Sequence, residues 1–316
     1  MTGLRGKYEA SVLTAAITGG DVLPSQSPHI PCGADAIVAE AVGAAEAGAT
    51  CIHIHARDDE GRPSADPALF EEIVSGIRDQ TDVVVNISTG GAPGMSLDER
   101  LAGARRAQPE IATLNLGTMN YEGFPNRERW PEVASDWERE VLEASGDGVF
   151  VNTLNMLRQF ASTLRELQIT PELEAYDLSH IAMARFLIDE GTLEPPVRLQ
   201  LVLGVLGGAG NAPRDLHLLA DAAERILGDD LGSVAVAGLG FPMQFRHAAI
   251  AFSSGLDCRV GLEDNIRLRR DVQATSNAEL VGVAIGLADH VARPIMTPTA
   301  LREELGPWAG KTEVAA

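Results

Sequence analysis

The sequence predicts an α/β protein, a (β/α)8 TIM barrel with an insertion after its fourth strand and a helix at its C-terminal end. Three observations lead there. Short β-rich apolar runs alternate with longer stretches of helical period, the order that builds βαβ units and a parallel sheet. The runs read as apolar on both faces, as strands covered by helices should. Eight strand–helix units need about 250 residues, and the chain has 316. The open doubly wound sheet lacks its fingerprint here, because Thr18-Gly19-Gly20-Asp21 after the first run is not G-x-G-x-x-G. No repeat, low-complexity tract or linker divides the chain, so 1–316 reads as one domain.

Taken in order, the first strand covers 12–18 and ends at Gly19-Gly20-Asp21, with a helix over 34–47 behind it. The second strand, 50–55, ends in His53-Ile54-His55 and leads to a helix over 67–79. The third, 83–88, runs into Ser88-Thr89-Gly90-Gly91 ahead of a helix at 97–107. The fourth is 112–116. A further run at 149–152 would make nine strands, one too many. It is short and leads straight into a helical pattern at 154–168, so it is set aside, and the acidic, Trp-containing stretch 121–148 becomes the insertion. The remaining strands at 172–176, 197–203, 234–237 and 258–261 alternate with helices at 179–190, 213–227 and 244–253. A last helix lies near 276–291.

Forty-five acids against 25 Lys plus Arg give a formal net charge of -20. Phosphate backbones and anionic lipid surfaces need clustered cations, so nucleic acid and membrane are excluded as partners. Three cysteines, Cys32, Cys51 and Cys258, are too few and too widely spaced for a disulfide framework. The opening MTGLRGKYEASVL lacks the apolar centre of a signal peptide, and no run of about 18 apolar residues could span a bilayer. The expectation is a cytoplasmic protein that works on small molecules.

In such a barrel, chemistry sits at the C-terminal ends of the strands. His53 and His55, two residues apart on one strand, project to the same face, while Ile52 and Ile54 turn toward the helices. Two imidazoles on one face form half of a metal site. The last strand offers Arg259, Glu263 and Asp264. One carboxylate could complete a three-ligand site with an open position, and the other could pair with the Arg259 fork; alternatively, both cap a helix at 265–272. Ser88 and Thr89 ahead of Gly90 and Gly91 suit close approach of a carboxylate or phosphate oxygen. Thr113 and Asn115 share a face. Glu174, flanked by apolar residues, faces the barrel mouth or a partner, since burying it ionised and alone costs several kcal/mol. Asp21 lies near the same rim. His217, His247 and His290 read as structural helix residues.

These segments, with Ala47-Gly48-Ala49, Pro171-Glu172-Leu173-Glu174, Val202-Leu203-Gly204-Val205, Val236-Ala237-Gly238, Ser276-Asn277-Ala278 and Thr297-Pro298, occur in order over nearly the whole chain. Together they resemble the β-keto acid cleavage enzymes, a zinc-dependent barrel family. The resemblance implies that His53, His55 and Glu263 hold Zn2+, and that Ser88, Gly91 and Thr113 contact a β-keto acid. It also implies that Arg259 and Asp264 assist proton removal, that acetyl-CoA is the co-substrate, and that the protein forms a homo-oligomer. In the family reaction the keto acid condenses with acetyl-CoA, and the adduct splits into acetoacetate and a new CoA thioester. A metal-polarised carbonyl and a stabilised enolate account for it physically.

A guanidinium, with its pKa above about 12, is a poor base. Asp264, a metal-bound hydroxide or Glu174 are therefore the candidate proton acceptors, with Arg259 anchoring a carboxylate. The departure from the family pattern is Asp21. Aminohexanoate-cleaving members carry a Glu there, which contacts the substrate's amino group, so a basic or polar tail is expected here. The alternative is a metal-dependent retro-aldol lyase or hydrolase on the same barrel, without CoA. The charge of -20 also sets a problem, because CoA is a polyanion and its phosphates need a local cationic cluster. Arg57, Arg62 and Arg246 are candidates.

Overall fold

The computed structural model describes residues 9–91, 94–133 and 135–306. Residues 1–8 of the segment read against a signal peptide, and both extremes of the 1–316 domain, lie outside the described residues. Eight parallel strands close into a barrel in chain order: β1 (Leu13–Ala16), β2 (Cys51–Ile54), β3 (Val84–Ile87), β4 (Ile111–Asn115), β5 (Thr170–Ala175), β6 (Val197–Leu203), β7 (Leu231–Gly238) and β8 (Asp257–Val260), which returns to pair with β1. Around it lie α1 (Ala34–Glu46), α2 (Pro67–Arg78), α3 (Leu97–Ala107), α4 (Asp136–Ala144), α5 (Leu154–Leu167), α6 (Leu178–Asp189), α7 (Pro213–Leu227), α8 (Met243–Ser254), α9 (Asn277–His290) and α10 (Pro298–Leu305). This is the predicted TIM barrel.

Helix starts are written locally. Asp66 accepts from Ala68 N ahead of Pro67, and Ser96 and Glu99 satisfy each other's backbone amides in a capping box. Outward strand residues such as Ile52, Ile54, Leu114, Leu173 and Leu199 pack on Ile37, Ile73, Leu101, Leu164 and Leu216 of the helices, forming one continuous core.

The expectation of strands apolar on both faces fails inside the barrel. Asn86, Thr113, Glu172, Gln200, Arg198, Asp257 and Arg259 are all buried there. Glu172 tolerates this because Asn86 Nδ2 (2.7 Å) and Gln200 Nε2 (2.9 Å) both donate to it. Strand register stacks the polar positions, with Thr113 opposite Glu172 and Asn115 opposite Glu174.

The barrel floor is sealed by α10. Its Leu301 packs with Val12, Cys51, Val84 and Ile111. Arg302 donates to the carbonyls of Asp82 and Val83 (2.6 and 3.0 Å) and pairs with buried Glu110 at 2.9 Å. No helix among the described residues is long and apolar enough to cross a membrane.

The run at 149–152 is indeed no barrel strand. Val149–Phe150 pairs antiparallel with Met119–Asn120, forming a ribbon at the base of the insertion. The insertion has a small core of its own, in which Phe124, Trp137 and Leu142 enclose Leu23 from the β1–α1 loop. Buried Glu138 accepts from both the backbone and the hydroxyl of Ser25 (2.9 and 2.8 Å), pinning α4 to that loop. The alternative helix at 265–272 is corrected: Arg267–Arg269 and Val272–Gln273 form a β-hairpin. Asn265 starts it by accepting from Arg267 N (3.0 Å) and donating to Arg267 O (2.7 Å), which turns the chain before a helix can form.

Candidate active site

His53 and His55 point into the barrel mouth from β2 and the loop just after it, and Glu263 meets them from beyond β8. Their Nε2 atoms lie 3.6 and 3.4 Å from the two carboxylate oxygens, and one ligand atom from each residue lies within 4.8 Å of the others. Burial lowers the His53 pKa to about 3, so its ring is neutral, the form that coordinates metal. Burial alone would raise Glu263, but Arg259 and the two histidines hold it well below the usual carboxylate range. Glu263 Oε2 is buried without a hydrogen-bond partner. The neutral His53 ring and His55 facing an ionised, under-satisfied carboxylate fit a divalent cation such as zinc, with three protein donors. Gly19 makes the approach possible: its φ is +59°, and a Cβ there would collide with the Glu263 side chain.

Arg259 sits beneath this trio. Its Nε and Nη2 donate to Asp264 at 2.9 and 2.8 Å in a bidentate pair, Nη2 also contacts Glu263, and Nη1 lies 3.5 Å from Glu174. Burial opposes its charge, yet Asp264 and Glu263 together hold its pKa well above the ordinary value. Glu174 is different. Burial, only partly offset by Arg259, pushes its pKa up to about 7. It is held by Gln200 Nε2 (3.3 Å) and the Tyr176 hydroxyl (3.1 Å), which also reaches Asn115 Oδ1 at 2.9 Å. Asn115 Nδ2 is buried without a partner.

The glycine loop after β3 is fixed from two sides. Thr89 N donates to Thr113 Oγ1 (3.1 Å), and Thr89 Oγ1 donates to Thr113 O (2.6 Å). Ser88 Oγ accepts from Gly90 N at 3.1 Å. Arg100, buried on α3, donates to Thr89 O, Val151 O and Asn152 Oδ1, and stacks on Phe150 and Phe160. A side chain at Gly91 would run into the Arg100 stem.

Asp21 is accessible at the rim and accepts a hydrogen bond from the Tyr121 hydroxyl. Tyr121, Phe150, Tyr176 and His180 succeed one another at ring separations of 6.1 to 6.4 Å, an aromatic wall from Asp21 to Glu174. Tyr121 and Arg100 escaped the sequence reading, since an insertion residue and a helix arginine carry no periodic signal. Tyr176 could have been found, because it lies one two-residue strand period beyond Glu174. Arg57 is corrected as a phosphate ligand. It is fully buried, and its donors go to the carbonyls of Thr18, Gly19, Val22 and Gly61 at 2.6 to 3.2 Å.

A polar-lined barrel with a His-His-Glu trio and an Arg–carboxylate pair at its C-terminal mouth has the form of a metal-assisted enzyme. The family model for beta-keto acid cleavage enzymes matches residues 11–306, and the chain belongs to that family. It is 38% identical over 296 residues to the 3,5-dioxohexanoate:acetyl-CoA acetone transferase of Paraburkholderia graminis, covering 93% of this chain and 94% of the relative. It is 36% identical over 299 residues to the 3-keto-5-aminohexanoate cleavage enzyme of Acetoanaerobium sticklandii, covering 94% and 98%. The solved apo structure of ObcA shares the fold with a TM-score of 0.70 at 19% identity, over 89% of this chain and 66% of that one.

Proposed function

We propose that this protein uses a zinc ion held by His53, His55 and Glu263 to condense a β-keto acid with acetyl-CoA, releasing acetoacetate and a new CoA thioester. One observation carries the reading: the neutral His53, His55 and the ionised Glu263 converge beside the Arg259–Asp264 pair. The Paraburkholderia and Acetoanaerobium relatives, a transferase using acetyl-CoA and a keto-acid cleavage enzyme, support the choice of reaction. When bound, the ion supplies Lewis-acid chemistry that stabilises negative charge on a keto oxygen.

The chain's own residues do the rest. Arg259 stays protonated, so it orients carboxylates and leaves the proton to another group. Glu174, with its pKa near 7, has the basicity to accept the proton from the carbon between the two carbonyls. That carbon attacks the thioester carbonyl and the CoA thiolate leaves. The thiolate then attacks the original keto carbon, the carbon–carbon bond breaks, and Glu174 returns its proton to acetoacetate. Asn115 Nδ2 is free to donate to a substrate oxygen, and Ser88, Gly91 and Thr113 line the substrate's carboxylate end. Asp21, aligned by Tyr121, receives a basic or polar tail. By the family resemblance, the enzyme is a cytoplasmic homo-oligomer.

The test is to incubate the purified protein with acetyl-CoA and a panel of β-keto acids while measuring acetoacetate. Acetoacetate that depends on acetyl-CoA supports the proposal; turnover without CoA replaces it with a lyase or hydrolase. Metal analysis of wild type and His53→Ala reads the ligand set directly. Full zinc occupancy in the variant would refute the metal assignment.

A further inference from the structure

The net charge of -20 leaves the phosphates of CoA without an obvious partner, and the structure removes Arg57 from consideration. Many arginines of the helical ring and the floor are neutralised: Arg105 pairs with Asp98, Arg106 with Glu71, Arg158 with Glu190, Arg185 with Asp230, Arg198 with Glu304 and Arg302 with Glu110. A different set lies at the mouth. The hairpin formed by Arg267–Arg269 and Val272–Gln273 leaves the barrel only a few residues beyond the metal-site Glu263. Its Leu268 packs inward with Ile30, Leu262 and Phe245. Arg267, before the register irregularity of the hairpin, is half-buried, and Arg269 and Arg270 beyond it are exposed.

Phe245 in that same cluster precedes exposed Arg246 in the first turn of α8, and Asn265 ties that turn to the start of the hairpin by donating to Gln244 Oε1 at 3.3 Å. None of Arg246, Arg267, Arg269 and Arg270 forms an ion pair with a described residue. Arg267 donates to Arg270 O (3.1 Å), and Arg246 lies 4.0 Å from the Met243 sulfur. Four cationic forks without carboxylate partners among the described residues, gathered at one edge of the mouth of a strongly acidic protein, match the oxygens of a polyphosphate.

We propose that Arg246, Arg267, Arg269 and Arg270 form the docking site for the phosphates of acetyl-CoA, holding the nucleotide on the hairpin while the thioester arm reaches down to the metal site. The proposal rests on the acetyl-CoA reading and goes beyond it by naming where the cofactor-sized half of the co-substrate binds. It also removes the charge problem: repulsion from the acidic surface is overcome at one local patch.

The experiment compares acetyl-CoA with S-acetyl-N-acetylcysteamine, a thioester carrying no phosphate. In the Arg269→Glu/Arg270→Glu variant, the preference for acetyl-CoA, read as the ratio of the two kcat/KM values, should fall at least tenfold, mainly through KM. Raising the ionic strength should lower the wild-type ratio in the same direction. Arg225→Glu, a charge reversal in the last turn of α7 and so at the opposite end of the barrel, should leave the ratio within about twofold if local docking rather than net charge is responsible. A ratio unchanged in the double variant, or one lost equally in Arg225→Glu, overturns the proposal. Calorimetric binding of CoA needs no turnover and separates the two levels. CoA that binds wild type at least tenfold more tightly than the double variant supports the docking site even where no acetoacetate forms. Equal affinities refute it.

Discussion

Replacing Arg100 by methionine keeps most of the side chain's length while removing its donors. The guanidinium makes three hydrogen bonds, to Thr89 O (2.8 Å), Val151 O (3.1 Å) and Asn152 Oδ1 (2.9 Å), and its central carbon lies 4.7 Å from the Phe160 ring. At the low end of about 1.5 kcal/mol per charge-assisted bond, the three contribute about 4 to 5 kcal/mol. The aromatic contact adds about 0.5 to 1 kcal/mol. Burying the methionine returns about 1 to 2 kcal/mol, so Arg100→Met should destabilise the fold by about 3 to 5 kcal/mol. Urea unfolding of variant and wild type reads this directly. The same change unties the glycine loop from the ribbon of the insertion, so kcat/KM for the keto acid should fall more than tenfold in protein that is still folded. Arg100→Lys, whose three donors sit on one nitrogen and cannot span acceptors reached from Nε, Nη1 and Nη2, should recover less than half of the stability. A loss below about 1 kcal/mol, with activity intact, would refute Arg100 as the joint between the two segments.

Gly19→Ala, which drives a methyl group into Glu263, should lower bound zinc at least tenfold at equal protein, measured by metal analysis after dialysis. Glu174 has a pKa raised from 4.5 to about 7, so its protonated form is favoured in the fold and stability declines as pH rises through that interval. At about 1.4 kcal/mol per pH unit, Glu174→Gln should be the more stable protein by up to about 3 kcal/mol at pH 8 and equal to wild type near pH 4.5, as checked by parallel denaturant titrations of metal-free protein. Asp21→Ala should reduce kcat/KM for cationic β-keto acids about tenfold more than for anionic ones; equal losses across the panel remove charge recognition from Asp21. Arg302→Ala removes the donor to two carbonyls and one of the partners of Glu110, which keeps Arg78 and Val85 N, and should cost about 2 to 4 kcal/mol of stability, with zinc content unchanged.

The barrel was legible because its eight runs alternate with helices at regular spacing, and the short run at 149–152 betrayed itself by leading straight into α5. The His53–His55 pair was legible for a geometric reason, since strand period two puts both side chains on one face; the residues left Glu263 and Asp264 open as the third member, and only the family resemblance implied Glu263. What stayed hidden depends on three-dimensional pairing. Arg57 and Arg100 look like surface arginines in sequence, yet both are buried clamps on backbone carbonyls. Tyr121 reaches Asp21 across 100 positions, and no local pattern encodes that. The polar lumen escaped as well, because Asn86, Glu172 and Gln200 are scattered over three strands and make sense only when the barrel brings them together. The hairpin at 267–273 was hidden by Asn265, whose side-chain bonds turn the backbone away from the alternative helix over 265–272.

Among the described residues, α10 covers the floor of the barrel, opposite the mouth that carries the His-His-Glu trio. Under the proposed reaction, acetyl-CoA, the keto acid and both products then share the rim at the mouth. A thioester lying across that rim would obstruct the departure of whatever lies deeper. Under the proposed reaction, acetoacetate should therefore leave after the new thioester has moved aside, and added CoA thioester should slow its exit. The order in which molecules come and go would then be set by a small helix at the end of the barrel remote from the chemistry.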